Sequence, residues 1–167
     1  MQLLPVDLCH QQAFLAAVRA SRALHRPWVS PPATPEQFTA WLQRMQAPGN
    51  CGLLVMRHGP AGMQELAGMI NITNMVMGPF CSAYLGYYAF SGCERQGLMR
   101  QGLTLAVRHA FRTLGLHRLE ANIQPGNTAS QALLRACGFT QEGYSLRYLK
   151  IGGRGRDHER WAIVAGG

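Results

Sequence analysis

Strand-like and helix-like segments alternate along this chain in an order that few architectures accommodate. Capping residues and apolar residues at helical spacing predict helices after Asp7, after Thr34, from Leu103 to Leu114 and after Asn127. Short apolar or two-faced stretches predict strands at 51–57, 66–73, 84–90, 117–124, 144–151 and 157–164. With one further strand before the first helix, the order β-α-α-β-β-β-α-β-α-β-β predicts an α/β (α+β) fold, with one mixed sheet and helices on both of its faces.

The length and composition indicate one domain with a buried core. A chain of 167 residues can bury about two thirds of its extended surface. Apolar residues make up 47% and charged residues 14%, which excludes intrinsic disorder. No apolar run approaches the roughly 18 residues of a membrane span, and Met1–Asp7 lacks the basic and apolar parts of a secretory signal. We therefore expect a single domain over residues 1–167 in a cytoplasmic protein.

The cysteines and histidines predict neither a disulfide framework nor a metal site. The five cysteines are odd in number and form no Cys-x-x-Cys pair. The six histidines lack the spacing of metal ligands. Reduced thiols and a protein without a metal are the expectation.

Positive charge is concentrated in the C-terminal part of the chain. Residues 95–167 hold ten arginines and Lys150 against four carboxylates, whereas residues 1–94 hold five arginines against four carboxylates. The net charge of +8 is therefore carried mainly by the later residues. This predicts an anionic partner there, either the phosphates of a small cofactor or those of nucleic acid. Charge that serves solubility alone is the alternative.

The segment 91–101 has the form of an anion-binding turn. A strand that ends at Phe90 enters a short turn containing Gly97, and a helix follows. The free N–H groups and positive dipole end of a helix N-terminus suit a pyrophosphate, to which Arg95 and Arg100 would add charge. The turn matches neither the Gly-x-Gly-x-x-Gly pattern nor the nucleotide-triphosphate loop. By itself it is a weak signal.

A second strand-to-helix junction strengthens this interpretation. Asn127, which follows Gly97 by 30 residues, is a predicted N-cap, Ser130 lies in the first turn, and Gly138 ends the helix. Each of these roles is common alone, but the two junctions in this order are much rarer together.

Five stretches of the chain, taken in order, resemble the GNAT acetyltransferases, and within them the Rim-type enzymes that acetylate the N-termini of ribosomal proteins. They are Tyr84–Tyr87, Gln96–Met99, Pro125–Ser130, Gly138–Phe139 with Glu142–Tyr144, and Arg156–His158. The likeness is good over roughly residues 70–164. In the first third of the chain it concerns only the layout of the helices and strands. Glu94 and Met99 depart from the family's pyrophosphate motif, which begins with Gln or Arg and ends with Gly or Ala.

The resemblance implies a mostly antiparallel sheet of about seven strands, in which two central parallel strands, 84–90 and 117–124, splay apart to form an acetyl-CoA cleft. Pantetheine contacts are implied along the first of these strands and at the second junction, and pyrophosphate contacts at the first junction. The implied cofactor-binding residues are Tyr88, Ala89, Phe90, Arg95, Gln96, Gly97, Leu98, Met99, Arg100, Asn127 and Ser130.

The implied reaction is direct attack of a free amine on the acetyl thioester. It requires a neutral amine, a donor for the oxyanion and stabilisation of the leaving thiolate. Gly86 in mid-strand predicts a bulge or a close approach by another molecule, and a backbone N–H beside it would serve the oxyanion. Ser130, near the thioester sulfur, would donate to the thiolate.

The family's usual carboxylate bases are missing from this chain. The matching positions hold Leu149 and Tyr84, and Leu134 stands where many relatives have a tyrosine acid. Tyr84 and Glu120 are the candidate substitutes: Tyr84 would orient a water, and Glu120 would face the cleft beside Asn122. A packed aromatic and a strand-surface charge are the alternatives. An α-amine with a pKa near 8 is also partly neutral without help.

The loop between the first two helices borders the acceptor site in this family. His25 and Trp28 lie in it, so the resemblance implies that they, with Tyr84, contact the acceptor. Trp28 would wall the slot that receives a peptide N-terminus. A core tryptophan is the alternative.

The prediction is an acetyl-CoA-dependent N-acetyltransferase acting on the N-terminal α-amine of a ribosomal protein, near rRNA but without a membrane, as a monomer or homodimer. A chain of +8 repels a free basic acceptor, unless the acceptor already lies on rRNA or only its first residues enter a neutral slot. One alternative is a small-molecule amine, although a polycation needs an acidic cleft. Another is an RNA-associated module without catalysis, contacting phosphates through Arg147, Arg154, Arg156 and Arg160.

Overall fold

Seven strands and five helices make up the computed structural model, which describes residues 1–59 and 62–166. The strands are β1 (Gln2–Pro5), β2 (Cys51–His58), β3 (Gln64–Val76), β4 (Ser82–Ala89), β5 (Arg118–Ile123), β6 (Thr140–Ile151) and β7 (Arg154–Val164). The helices are α1 (Gln11–Ala20), α2 (Arg22–His25), α3 (Pro35–Gln46), α4 (Leu98–Arg112) and α5 (Thr128–Ala136). Of the helices in these two ranges, none has the length and hydropathy to cross a bilayer.

The strands form one sheet in the order β1-β2-β3-β4-β5-β7-β6. Every neighbouring pair is antiparallel except β4 and β5, which run parallel and are connected by α4. A parallel pair needs such a crossover connection. The predicted mixed, mostly antiparallel sheet of seven strands is therefore confirmed.

Helices cover both faces of the sheet, and each face has its own apolar core. On one face α4 and α5 pack against the sheet through residues such as Leu103 and Leu134, both fully buried. On the other face α1 and α3 pack through Phe14, Phe38 and Trp41, whose rings lie 5.1–5.5 Å apart. The prediction of helices on both faces is confirmed.

Helix starts follow the capping residues, with one difference. The Thr34 hydroxyl accepts the Gln37 N–H at 3.3 Å and so caps α3 as predicted. Asp7 instead caps a three-residue 3-10 turn, Leu8–His10, and α1 begins only at Gln11. The physical reason is that the His10 ring accepts the Asp7 N–H at 3.0 Å, which closes the short turn first.

The parallel strands β4 and β5 separate after a short paired stretch. Their pairing covers only Ser82–Tyr84 against Arg118–Glu120, although β4 continues to Ala89 and β5 to Ile123. Beyond that stretch the facing peptide groups of the two strands are not paired with each other. The resulting gap in the middle of the sheet is where the candidate site lies.

Candidate active site

A cavity of about 650 Å³ opens where β4 and β5 diverge. Its walls come from the end of β4, the turn that leads into α4, the end of β5 and the start of α5. The α2 region and the β6–β7 hairpin complete it. Of the residues predicted to bind a cofactor or acceptor, those that line the cavity are His25, Trp28, Tyr88, Ala89, Arg95, Gly97, Leu98, Met99, Arg100, Asn127 and Ser130.

The peptide groups of β4 alternate between β3 and the cavity. The Phe90 N–H donates to the Ala67 carbonyl at 2.9 Å, so Phe90 is paired with β3. Since hydrogen-bonded pairs alternate in an antiparallel ladder, Tyr88 also faces β3, whereas Tyr87 and Ala89 face the cavity. The expectation that the backbones of Tyr88 and Phe90 pair with pantetheine is corrected accordingly. The sequence shows that successive peptide groups of β4 must point to opposite sides, but it does not show which of them face the cavity. The peptide group of Tyr87 was therefore not predicted as a contact.

Gly86 leaves open space above the strand rather than forming a bulge. It pairs with Asn71 on β3 without any shift of register. A Cβ atom added at Gly86 would meet no atom within 4 Å, and the residue lines the cavity. The predicted bulge is therefore absent at this position. The other expectation, a close approach by another molecule, is compatible with the open space.

The N-terminus of α4 faces the cavity without a side-chain cap. Gly97 is the N-cap residue and adopts a left-handed conformation with φ 73°. The first intrahelical bond runs from the Gln101 N–H to the Gly97 carbonyl, which leaves the N–H groups of Leu98, Met99 and Arg100 without a helical partner. These donors, together with the positive end of a 15-residue helix, form a site that suits an anion.

Basic side chains surround this helix end. Arg95 and Arg100 both line the cavity. Gln96 does not, because its side chain accepts from the Arg57 guanidinium at 2.7 Å and donates to the Gly92 carbonyl at 2.7 Å. Any contact of Gln96 with a ligand would therefore have to come from its peptide group.

The unusual Met99 is accommodated by a glycine on the neighbouring strand. Its side chain is buried, and a Cβ atom added at Gly68 of β3 would overlap its sulfur. The same Cβ atom would lie 2.8 Å from the Tyr88 carbonyl oxygen. Gly68 thus provides the volume that a methionine needs at the start of α4.

The start of α5 is fixed to β4 across the floor of the cavity. The Asn127 side chain accepts the Ser130 N–H at 3.2 Å and caps the helix. The Tyr87 hydroxyl donates to the Ser130 carbonyl at 3.3 Å. Burial raises the pKa of the Tyr87 phenol, so it remains a neutral donor. These bonds involve only the main-chain N–H and carbonyl of Ser130. The side-chain hydroxyl takes no part in them and belongs to a residue that lines the cavity.

Tyr84 and Glu120, the two predicted substitutes for a base, are neighbours on β4 and β5 but lie outside the cavity lining. The Glu120 carboxylate accepts from the Arg118 guanidinium at 2.8 Å. The Tyr84 hydroxyl lies 3.4 Å from that of Tyr148, and this hydrogen bond, together with burial, raises the pKa of Tyr84 to about 12. This geometry does not favour either residue as a proton acceptor.

His25 and Trp28 close one side of the cavity. The His25 Nε2–H donates to the Ala89 carbonyl at 2.8 Å, and burial lowers the pKa of the imidazole. Trp28 is half-buried, and a Cβ atom on Gly126 would lie 3.1 Å from its ring. Gln124 donates to the Trp28 carbonyl at 3.4 Å. Trp28 is thus a wall between the α2 region and the β5–α5 loop rather than a fully buried core residue.

A bulge in β6 places Tyr148 beside Tyr84 and His158. The pairing of β6 with β7 passes from Ser145 opposite His158 to Leu149 opposite Arg156, so residues 146–148 oppose a single residue. The ring of Tyr148 lies 6.3 Å from that of His158. Sequence reasoning did not predict this bulge, because nothing in the alternation of β6 marks it.

Asp157 of β7 stabilises the bulge in β6 through two hydrogen bonds. Its carboxylate accepts the Arg147 N–H at 2.8 Å and the Tyr144 hydroxyl at 3.0 Å. The bond from the Arg147 peptide is the main reason that the pKa of Asp157 is lowered. Arg147 has φ 49°, as the bulge requires. This arrangement also sets Leu149 and His158, two residues without a predicted role, into the cavity wall.

Comparisons with known proteins agree with this geometry. The family described as "Acetyltransferase (GNAT) domain" matches residues 1–140. The [ribosomal protein uS5]-alanine N-acetyltransferase of Escherichia coli is 43% identical over 101 residues, which are 60% of this chain and 52% of that protein. The chain thus matches about half the length of this curated relative.

Solved structures with the same fold extend over nearly the whole chain. Mycobacterium smegmatis RimJ in complex with CoA-disulfide matches with a TM-score of 0.85 at 27% identity, over 98% of this chain and 81% of that one. Spermidine N-acetyltransferase from Vibrio cholerae, in complex with CoA and spermine, matches with a TM-score of 0.76 at 18% identity, over 98% and 94%. The second likeness concerns the fold alone.

Proposed function

Because the chain belongs to the GNAT acetyltransferase family, we propose that it transfers the acetyl group of acetyl-CoA to the N-terminal α-amine of a protein, with ribosomal proteins as the first candidates. The observation that carries this proposal is the uncapped N-terminus of α4, which faces a cavity between two splayed strands. The choice of acceptor is supported by the 43% identity to an enzyme named for a ribosomal-protein alanine.

Three parts of the cavity support the proposal that acetyl-CoA binds there. The N–H groups at the start of α4 would hold the pyrophosphate, with Arg95 and Arg100 adding positive charge. On the edge of β4 that faces away from β3, the Tyr87 carbonyl and the Ala89 N–H would pair with the pantetheine amides, while the Ala89 carbonyl accepts from His25. Asn127 would contact the pantetheine from the opposite side through the part of its amide that does not cap α5.

The same residues would support direct attack by the amine in a ternary complex. The Tyr87 N–H faces the cavity beside the open space over Gly86, where it would donate to the oxyanion of the tetrahedral intermediate. Ser130 lines the cavity at the start of α5, where its hydroxyl would donate to the leaving thiolate.

The charge of the cavity favours a single amine over a polycation. Among the described residues that line it, Glu94 is the one carboxylate, and Arg95 and Arg100 lie close by in the chain. A polyamine needs several carboxylates to balance its charges. The fold shared with a spermidine acetyltransferase therefore does not decide the acceptor. A slot that admits only the first residues of a protein would also lessen the repulsion between a basic acceptor and a chain of +8.

An RNA-associated role without catalysis is the second candidate. Arg147, Arg154, Arg156 and Arg160 are all exposed on the β6–β7 hairpin. Such a cluster would contact phosphates with an affinity that falls steeply as salt rises. The hairpin would also bring the enzyme towards acceptors on rRNA, so the two roles differ chiefly in whether acetyl-CoA is used.

Acetylation of short peptides distinguishes these functions. We expect mass spectrometry to detect one acetyl group on the α-amine of an alanine-first peptide with an internal lysine. A copy of the peptide with a formylated N-terminus is the matched control and should remain unmodified. Preferential acetylation of spermidine would favour a small-molecule acceptor, and RNA binding without any product would favour the second candidate.

Ser130→Ala is expected to reduce kcat by roughly 100-fold while the Kd for acetyl-CoA stays nearly constant. The substitution preserves the Ser130 N–H and carbonyl that hold the start of α5, and it removes only the proposed donor to the thiolate. Steady-state kinetics and calorimetric titration measure the two constants. Thr128→Ala removes an exposed hydroxyl from the same turn and is the control. An unchanged kcat for Ser130→Ala would remove Ser130 from any acid role.

A further inference from the structure

We propose that His158 is the general base that takes the proton from the acceptor amine. This inference rests on the proposed function, since it names the group that prepares the amine for attack. His158 lies on β7, on the opposite side of the cavity from β4, and it lines the cavity wall.

The ring of His158 is held in a single tautomer. The residue is only 3% exposed, and its Nδ1 lies 2.9 Å from the Arg156 carbonyl oxygen. Since a carbonyl oxygen can only accept, Nδ1 carries the proton and Nε2 of the neutral ring has a free lone pair. Within residues 1–59 and 62–166 the Nε2 atom has no hydrogen-bond partner. An acceptor on a residue of the cavity wall is thus left for a ligand.

The other candidate acceptors around the cavity are less suitable. The Glu94 carboxylate accepts the Gly92 N–H at 2.7 Å in the turn before α4, at the anion-binding end. The remaining Nδ1 of His25 is fully buried without a partner in the described part of the chain, and burial lowers the pKa of that ring. Glu120 is outside the lining and paired with Arg118.

Charged and titratable groups near His158 come from its own strand, from β6 and from α2. Asp157 is adjacent on β7, and the His158 charge is among the causes that lower the pKa of Asp157. The Tyr148 phenol approaches from β6, with its ring centre 6.3 Å away. Arg156 and Arg160 are two residues away on the same strand and are exposed, so solvent screens their opposing charge. From α2, His25 is kept neutral by burial.

The proposed step balances without any further reactant. His158 Nε2, directly or through one water, takes one proton from the acceptor ammonium, and the neutral amine forms the new N–C bond to the thioester carbonyl. The C–S bond breaks, and the thiolate receives a second proton from the amine nitrogen by way of the Ser130 hydroxyl. The imidazolium then releases its proton to solvent. The products are an amide, CoA thiol and one proton.

His158→Asn tests the roles of the two ring nitrogens separately. The asparagine amide keeps a donor close to the position of Nδ1, and therefore the bond to the Arg156 carbonyl, but it removes the acceptor at Nε2. With the alanine-first peptide at pH 7 we expect kcat/KM to fall about 100-fold or more. The deficit should shrink towards pH 9, because an α-amine with a pKa near 8 then loses its proton unaided. His117→Asn, at an exposed histidine, is the control.

Four results would overturn the inference in distinguishable ways. Equal rates for wild type and His158→Asn would remove His158 from catalysis and leave the proposed function standing. A deficit that stays constant from pH 7 to pH 9, or a loss of acetyl-CoA affinity in calorimetry, would show that His158 is a structural residue. Wild-type protein that binds acetyl-CoA but acetylates no amine would refute the proposed function, and the role of His158 with it.

Discussion

Replacing Gly97 by glutamate is expected to abolish acetyl-CoA binding while the protein remains folded. Gly97 lies at the N-terminus of α4, where a carboxylate would occupy the proposed pyrophosphate site and satisfy the helix end itself. No atom lies within 4 Å of a Cβ atom added there, so the cost to folding is chiefly the φ of 73°. That cost is roughly 1–3 kcal/mol, which a domain stable by about 5–15 kcal/mol tolerates.

Gly115→Glu is the matched control for this variant. Gly115 follows the other end of the same helix, has φ 70° and is also free of neighbours around an added Cβ atom. The two variants therefore share the backbone strain and the added charge but differ in distance from the cavity. Calorimetric titration should show no acetyl-CoA binding for Gly97→Glu and ordinary binding for Gly115→Glu. Unchanged binding by Gly97→Glu would refute the assignment of the site.

Trp161→Ala is expected to destabilise the protein by about 3–5 kcal/mol. Trp161 lies in the core between β7 and α5, is only 2% exposed and pairs with Ala121 of β5. The Arg135 guanidinium lies 4.8 Å from the ring centre, and the indole N–H donates to Glu159 at 3.1 Å. Removal of the ring leaves a large cavity beneath the strands that form one wall of the site. Urea denaturation measures the loss of unfolding free energy.

Trp28→Ala makes the same change at a tryptophan that lies on the cavity wall instead of in the core. Because Trp28 is half-buried at the cavity wall, its loss should change the unfolding free energy much less and should instead raise KM for the peptide. Equal destabilisation by the two substitutions would mean that Trp28 is a core residue and not a wall of the acceptor slot.

Much of the fold could be predicted from the sequence because its signals are local. The helical spacing of Leu103, Ala106, Ala110 and Leu114 marks the face of α4 that is buried against the sheet. The splayed parallel strands, in contrast, followed from the resemblance to a family. Periodicity alone does not reveal which strands are neighbours or where their pairing ends.

The parts of the site that sequence reasoning missed depend on geometry between strands. Whether the peptide of Tyr87 or of Tyr88 faces the cavity depends on the phase of the ladder with β3, which is fixed only when Phe90 pairs with Ala67. The position of Tyr148 depends on a bulge stabilised by Asp157, ten residues after Arg147 in the chain. His158 belongs to one of the stretches that resemble the family, but its free Nε2 follows from the tautomer that the Arg156 carbonyl imposes.

Titration of the wild-type protein with acetyl-CoA, followed by thermal unfolding, tests whether the cavity between β4 and β5 binds this cofactor. ATP and a short RNA serve as controls, because both carry phosphates without the pantetheine thioester. At a hundred times its Kd a ligand stabilises the folded protein by about 2.7 kcal/mol, which raises Tm by several degrees in a domain of this size. We expect that shift with acetyl-CoA and no comparable shift with either control. A shift with RNA alone would mean that the chain keeps the acetyltransferase fold but has lost its chemistry.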